Sequence, residues 1–373
     1  MTPETETELA QIVAGLSGPV SIVGGGTRGV AGSAPALDIS RLTGIHLYEP
    51  GALTLVAAAG TPLAEVEAAL DAEGQRLAFE PMDHRVLLGT SGAPTIGGVV
   101  AANVSGPRRV QAGACRDFLL GVRFVDGGGA VIKNGGRVMK NVTGYDLVKL
   151  MAGSWGTLGV LSEVSLKVLP KPEATQTLAI AVPDAERAVG PDAERAVGAM
   201  SDALGSPFEV SGAAYDPERG QVFARLEGFA DSVAYRSARL SERLARWGDI
   251  TRPEAPDLWS DIRDVRCFAD RAGDVWRISC RPSDAPDLAQ KAGADALLFD
   301  WGGDLIWALM AEGSDLRARL GGFDGHATLI RSDQETRAQL GMFHPQPAPL
   351  AAIQQALRTR FDPQGRFNPG LMG

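Results

Sequence analysis

Cysteine is scarce in this chain. Cys115, Cys267 and Cys280 are the three in 373 residues, and no two form a CxxC pair. Three thiolates fall short of the four that hold an iron–sulfur cluster. They do not make a disulfide framework either, which points to a reducing, cytoplasmic setting. Histidine is almost as rare, with His46, His84, His326 and His344 the four present. Excess positive charge is missing too. The net charge is −9 and the pI about 5.1, which argues against binding a nucleic-acid backbone, since that needs clustered Lys and Arg. Long apolar runs are absent as well. The longest uncharged stretch, Val86–Pro107, holds several glycines, Pro94, Asn103 and hydroxyls that hydrocarbon would reject. Met1–Glu8 is acidic and lacks the apolar core of a signal peptide. A soluble protein with no direct membrane span is expected.

Hydrophobic residues make up 45% and charged residues 22%, an ordinary globular composition. The length suits about two domains at roughly 100–200 residues each. Glycine is abundant, at 46 residues, and shows no collagen-like period. Most of the glycine-rich loops fall in residues 1–170, between short β-like runs. These are Val20–Val23, Leu53–Ala58, Leu119–Val125, Ala130–Ile132 and Val160–Val168. In the last, Val164, Leu166 and Val168 alternate with Ser165 and Lys167, the period of a half-buried strand. Leu119–Val125 and Ala130–Ile132 read as a hairpin. A helix is expected from Leu63, with Thr61 as its cap, Pro62 in the first turn and Gly74 at its end. The paired prolines of Leu169–Pro172 mark a domain boundary. Beyond it, Ser232–Trp247 is the clearest amphipathic helix. The octapeptide at Pro183–Gly190 is repeated at Pro191–Gly198, too few copies for a solenoid and read as a tolerated surface duplication.

Four loops carry chemistry. Gly24-Gly25-Gly26-Thr27-Arg28 follows a strand directly, and successive glycines let backbone N–H groups converge on an anion. Gly24, Gly26 and Gly29 also satisfy G-x-G-x-x-G. A dinucleotide-binding βαβ unit would need a helix opening there, whereas Gly32 and Pro35 follow and Leu37–Ile39 reads as a strand. The second loop, Pro94–Asn103, is a run of small residues where a flat ligand or a close helix–sheet contact would fit. The third, Gly153–Leu161, is a glycine-rich turn feeding a strand, preceded by the polar stretch Lys140–Asp146. The fourth is Phe367-Asn368-Pro369-Gly370, an apolar, turn-forming tail where termini usually fray.

In this order, GGGT, TIGG with AxNxSG, GSxGTLGV and FNPG resemble the FAD-binding domain of the vanillyl-alcohol oxidase/p-cresol methylhydroxylase superfamily. Gly135–Pro172 specifically resembles the FAD-binding E subunit of bacterial glycolate oxidase. The resemblance implies an α+β fold: two subdomains holding FAD (residues 1–172), an α+β cap (173–345) and a C-terminal segment returning to the FAD domain (346–373). Carried over by position, Gly24, Gly25, Gly26, Thr27 and Arg28 would cradle the pyrophosphate. Thr95, Gly97, Gly98, Asn103 and Ser105 would line the ribityl chain and flavin ring. Gly156, Thr157, Gly159, Val160 and Leu161 would meet the adenosine end, and Asn368 the ring. Trp155 departs from the acidic residue often found at its position. Thr27 and Arg28 stand where tethering relatives often carry His, so the FAD is expected to be non-covalent.

The base for hydroxy-acid oxidation is not evident. The clustered His-rich metal motif of related D-2-hydroxy-acid enzymes does not occur, so no metal is expected. His84 and His326 are the candidates for a base, and Arg85, Arg108 and Arg109 for carboxylate binding. The resemblance therefore implies a subunit of a glycolate-oxidising complex, working beside a larger flavoprotein subunit and an iron–sulfur subunit, cytoplasmic or held at the inner membrane through them. Two rivals remain. One is a self-sufficient FAD oxidoreductase on another small hydroxy acid or alcohol. The other is a flavin-containing structural or electron-relay subunit without its own substrate site.

Overall fold

Residues 160–167 carry Val160, Leu161, Val164 and Leu166 among serines and charged residues, and they become the middle of a sheet. The computed structural model describes residues 1–30, 32, 34–137, 144–182 and 191–372. Strands β1 (Ser21–Val23) and β2 (Ala36–Asp38) pair in parallel. Strands β3 (Ile45–Glu49), β4 (Thr54–Ala58), β6 (Leu119–Val125), β7 (Val131–Gly135) and β8 (Val160–Lys167) make an antiparallel sheet in the order β3-β4-β8-β6-β7. Strands β5 (Gln75–Arg76) and β9 (Leu169–Pro170) form a small pair beside it. In β8, Ser162 and Ser165 are buried along with Val160, Leu161, Val164 and Leu166. The expected half-buried alternation is thus largely lost, because β8 lies between β4 and β6 with both faces covered. The β6–β7 hairpin forms, and its second strand runs on to Gly135.

Helix α1 (Glu6–Ala14) is capped by the Thr5 hydroxyl, which accepts from the Glu8 amide. It seats Leu9 and Val13 in the core. Helix α2 (Leu63–Ala72) buries Leu63, Val66 and Leu70. Thr61 does not cap it. The Thr61 hydroxyl turns to the Ala58 and Gly44 carbonyls and accepts from the Gly44 amide, pinning the β4 exit instead. Two short helices follow, α3 (His84–Leu88) and α4 (Ile96–Ala101). Strand β9 ends at Pro170, residues 171–173 carry no strand or helix, and the next strand begins at Ala174, so regular structure breaks at these prolines.

The chain divides into two units, one of residues 1–105, 113–171 and 345–373, the other of residues 106–112 and 172–344. In the second, β10 (Ala174–Ala181), β11 (Gly212–Asp216), β12 (Gln221–Gly228), β13 (Ile250–Thr251), β14 (Asp274–Ser279), β15 (Ala296–Asp300), β16 (Leu305–Met310) and β17 (His326–Arg331) form one eight-stranded sheet. Its order is β13-β10-β12-β11-β15-β16-β14-β17. One face carries Tyr215, Trp276, Ile278, Phe299, Ile306, Ala327 and Leu329 into a core shared with helices Pro191–Leu204, Ala230–Leu244, Ala285–Ala292 and Leu316–Leu320.

Residues 106–112, read from sequence as part of the first domain, cluster with this second unit. The cause is polar. Arg108 makes a buried, two-pronged ion pair with Glu227, and Trp301 Nε1 donates to the Gly106 carbonyl at 3.0 Å. The first copy of the octapeptide repeat and the polar residues Lys140–Thr143 lie outside the described residues; the second copy opens helix Pro191–Leu204. Among the described residues, no helix is long and apolar enough to cross a membrane.

Candidate functional site

The four sequence loops meet inside the first unit. The Gly24–Arg28 loop joins the parallel strands β1 and β2, and no helix opens at Gly29, so the dinucleotide-binding βαβ alternative fails. A Cβ on Gly25 would stand 1.6 Å from the Ala93 carbonyl oxygen, and one on Gly24 would stand 2.5 Å from Thr95 Oγ1. The glycines therefore let this loop lie directly against the 92–98 segment. A Cβ on Gly98 would come within 2.8 Å of an Arg28 guanidinium nitrogen, so the small residue at 98 makes room for that cation.

No described residue accepts from the amides of Gly24, Gly25, Gly26 or Thr27. Arg28 Nε is buried without a partner. Burial pulls the Arg28 guanidinium down to about 10, an effect opposed by Cys115 and Asp83, and it stays charged at neutral pH. Unpaired backbone donors beside an unsatisfied cation form a receptor for an anion. The residues present fit an anionic group such as the pyrophosphate of FAD at this end.

Several polar candidates hold the walls instead. Thr95 Oγ1 caps α4 by accepting from the Gly98 amide at 3.2 Å. Gly97 is small because a Cβ there would lie 2.5 Å from that of Ala59, which is the close helix–sheet contact considered from the sequence. Asn103 Oδ1 accepts from the Arg116 amide, and Ser105 Oγ accepts from the Cys115 amide. Cys115 is buried, and its thiol is pushed well up by that burial.

At the other end, the Gly153 and Trp155 amides donate to the Val100 and Ala101 carbonyls, joining the third loop to α4. Thr157 Oγ1 donates to the Ser154 carbonyl at 2.7 Å. Gly159 is small because a Cβ would meet the Phe124 ring at 2.7 Å, and Val160 and Leu161 pair with Val125 and Phe124. Asn368 Oδ1 accepts from the Ile22 amide, and its Nδ2 donates to the Trp155 carbonyl. The tail is drawn in as a parallel bridge between Val20 and Phe367, whose ring is fully buried.

Sequence reasoning missed Ser154. Its hydroxyl is buried and without a partner in the middle of the third loop. Its place inside the glycine-rich motif was the available signal.

The candidate bases and arginines divide between the units, His84 and Arg85 in the first and Arg108, Arg109 and His326 in the second. His84 opens α3, whose N-cap Asp83 forms an ion pair with Arg85 at 2.7 Å. Arg85 also donates to the Gly92 carbonyl, so it braces the 83–92 segment. Arg108 is committed to Glu227. Arg109 stacks on Trp301 at 4.4 Å, in the second unit. His326 begins the edge strand β17 of that unit. Burial, together with Arg277, His344 and Arg109, lowers its imidazole to about 4.

Comparison with known proteins gives the family. A family described as "FAD binding domain" matches residues 1–135. Glycolate oxidase subunit GlcE of Escherichia coli (strain K12) is 36% identical over 362 residues, covering 95% of this chain and 92% of that protein. Glycolate oxidase subunit GlcD of Bacillus subtilis (strain 168) is 44% identical over 84 residues, 22% of this chain and 18% of its own. Among solved structures, an alkyldihydroxyacetonephosphate synthase superposes with a TM-score of 0.70 at 16% identity, covering 99% of this chain and 76% of its own. That likeness carries the fold, an architecture of mixed helices and sheets. Identity sustained along nearly the whole of one relative carries more, and the chain belongs to the glycolate oxidase subunit GlcE family.

Proposed function

We propose that this protein is the FAD-binding E subunit of a multi-subunit glycolate oxidase, a cytoplasmic complex that converts glycolate to glyoxylate. The observation carrying the reading is the near-full-length match to GlcE, together with an unpaired Gly24–Thr27 donor loop beside buried Arg28. The FAD is held non-covalently. Gly24, Gly25, Gly26, Thr27 and Arg28 bind its pyrophosphate, α4 and its Thr95 cap line its middle, and the 153–161 loop with Asn368 bounds its far side. When bound, it supplies hydride and electron transfer.

The chain's own residues bind and orient; the base is the weak point. The imidazole of His326 is neutral at pH 7, and its pKa of about 4 lies far below the operating pH that favours general-base work. Companion subunits, a larger flavoprotein and an iron–sulfur protein, therefore complete the reaction. The same observation keeps a second reading, an electron-relay subunit without substrate chemistry of its own.

The test is anaerobic stopped-flow mixing of the FAD-loaded chain with glycolate, alone and with its companions. Negligible flavin bleaching alone, restored by the companions, supports the complex. Rapid bleaching of the isolated chain would overturn it in favour of a self-sufficient oxidoreductase.

A further inference from the structure

The buried and half-buried arginines of the second unit are satisfied, with one exception. Arg225 donates to Ser211 and pairs with Glu227, Arg317 donates to the Ala327, Leu340 and Met342 carbonyls, and Arg331 to those of Gly273, Phe268 and Arg271. Arg277 differs. It lies in β14 on the face opposite the helix-packed core, directly across from Trp307 on β16 and Thr328 on β17. Its guanidinium rests 5.0 Å from the Trp301 ring centre, and Arg109 lies 4.4 Å from the same ring. Among the described residues, no side-chain hydrogen bond or ion pair engages Arg277. Burial and the neighbouring Arg109 pull it down to about 10, with Asp300 opposing them.

We propose that Arg277, Arg109 and His326 form a binding site for a small carboxylate anion, with the Trp301 and Trp307 rings as its apolar flanks. A planar guanidinium fork matches a carboxylate with two parallel hydrogen bonds. His326 pairs across from Ser279, two residues along β14 from Arg277, so it lies on the same face. It lies on the edge strand β17, with part of the residue open to solvent and its ring covered on the side of Arg277, Arg109 and His344. Its neutral ring adds a hydrogen bond without further charge. Asp300 and Asp304 stand nearby and offset part of the positive charge, which suits a monoanion better than a phosphate dianion. Trp301 has a φ of 51°, a strained conformation for a bulky residue, and its Nε1 donates to the Gly106 carbonyl.

The proposal does not depend on the flavin reading, and flavin content measured by absorbance separates the two. The full chain is titrated with acetate, and separately with inorganic phosphate at matched ionic strength, following tryptophan emission and heat. Acetate should saturate and perturb the indole emission. Arg277→Met should weaken it by about 10-fold or more, with melting temperature unchanged or raised because an unpaired buried cation is removed. Non-saturating acetate, preference for phosphate, or equal acetate affinity in the variant each overturns the site. A variant that melts earlier yet binds normally assigns Arg277 a purely structural role. Should Arg277→Met not fold, Arg277→Gln is read by the same criteria.

Discussion

The Asn368 side chain donates to the Trp155 carbonyl at 2.7 Å, tying the C-terminal tail to a loop 213 positions earlier in the chain. Both residues have positive φ, 45° for Asn368 and 53° for Trp155, and so does Asn103, at 50°. Asparagine visits the left-handed region readily, so Trp155 is the strained residue of the three, at roughly 1–3 kcal/mol, and the Asn368 bond to its carbonyl helps hold it. Asn368→Ala removes the bonds to both Trp155 and Ile22. It should cost about 1–3 kcal/mol in urea unfolding and weaken flavin retention. Unchanged retention would show that the tail bond is only structural.

Gly25→Asp would place a carboxylate in the anion loop, but its Cβ meets the Ala93 carbonyl first. The loss of flavin expected for that variant is therefore steric as well as electrostatic. Gly25→Ala should already abolish flavin binding or folding. Gly26 is the cleaner position for the charge, because nothing lies within 4 Å of its Cβ and Asp tolerates its φ of 67°. Gly26→Asp should fold and lose flavin; full occupancy in the purified variant would remove the pyrophosphate assignment.

Arg28→Met exchanges an unsatisfied buried cation for an apolar chain of similar reach. The flavin-free protein should melt no lower than wild type. Flavin affinity should fall by about 10–100-fold, the loss of a charged hydrogen bond, measured by fluorescence titration of the flavin-free protein.

His326 predicts an acid sensitivity. Its folded value of about 4 lies below the unfolded 6.5, so the unfolded chain binds more protons between them. Stability contributed by the neutral ring is complete above about 6.5 and is lost as pH falls toward about 4. His344 is lowered in the same direction, by burial and Arg317. His326→Asn should flatten the decline of denaturation midpoint across that window. An unaltered slope would exclude the assignment.

Acid precipitation tests the attachment of the cofactor. The pyrophosphate loop presents Thr27 and Arg28, and neither is a tethering histidine. Yellow flavin should remain in the supernatant; a yellow pellet would establish a covalent link.

Local sequence determined a good deal. Successive glycines after a β-branched run specify a turn, and 24–28 forms one directly after β1. The Leu119–Val125 strand, the β6–β7 hairpin and the helix near Leu63 follow from period and turn residues alone. Tertiary structure decided which partner each polar group found. Thr61 reads as a helix cap but bonds to the Gly44 and Ala58 carbonyls, which the β3–β4 pairing brings to its hydroxyl. Gly97 and Gly159 read as ligand-facing glycines, yet their missing Cβ atoms make room for Ala59 and Phe124. Residues 106–112 joined the other unit because Glu227 and Trp301, more than a hundred positions away, satisfied Arg108 and Gly106. Arg277 had no signature at all among many arginines. Its distinction is the partner it lacks, and a sequence records residues but not the distances between them.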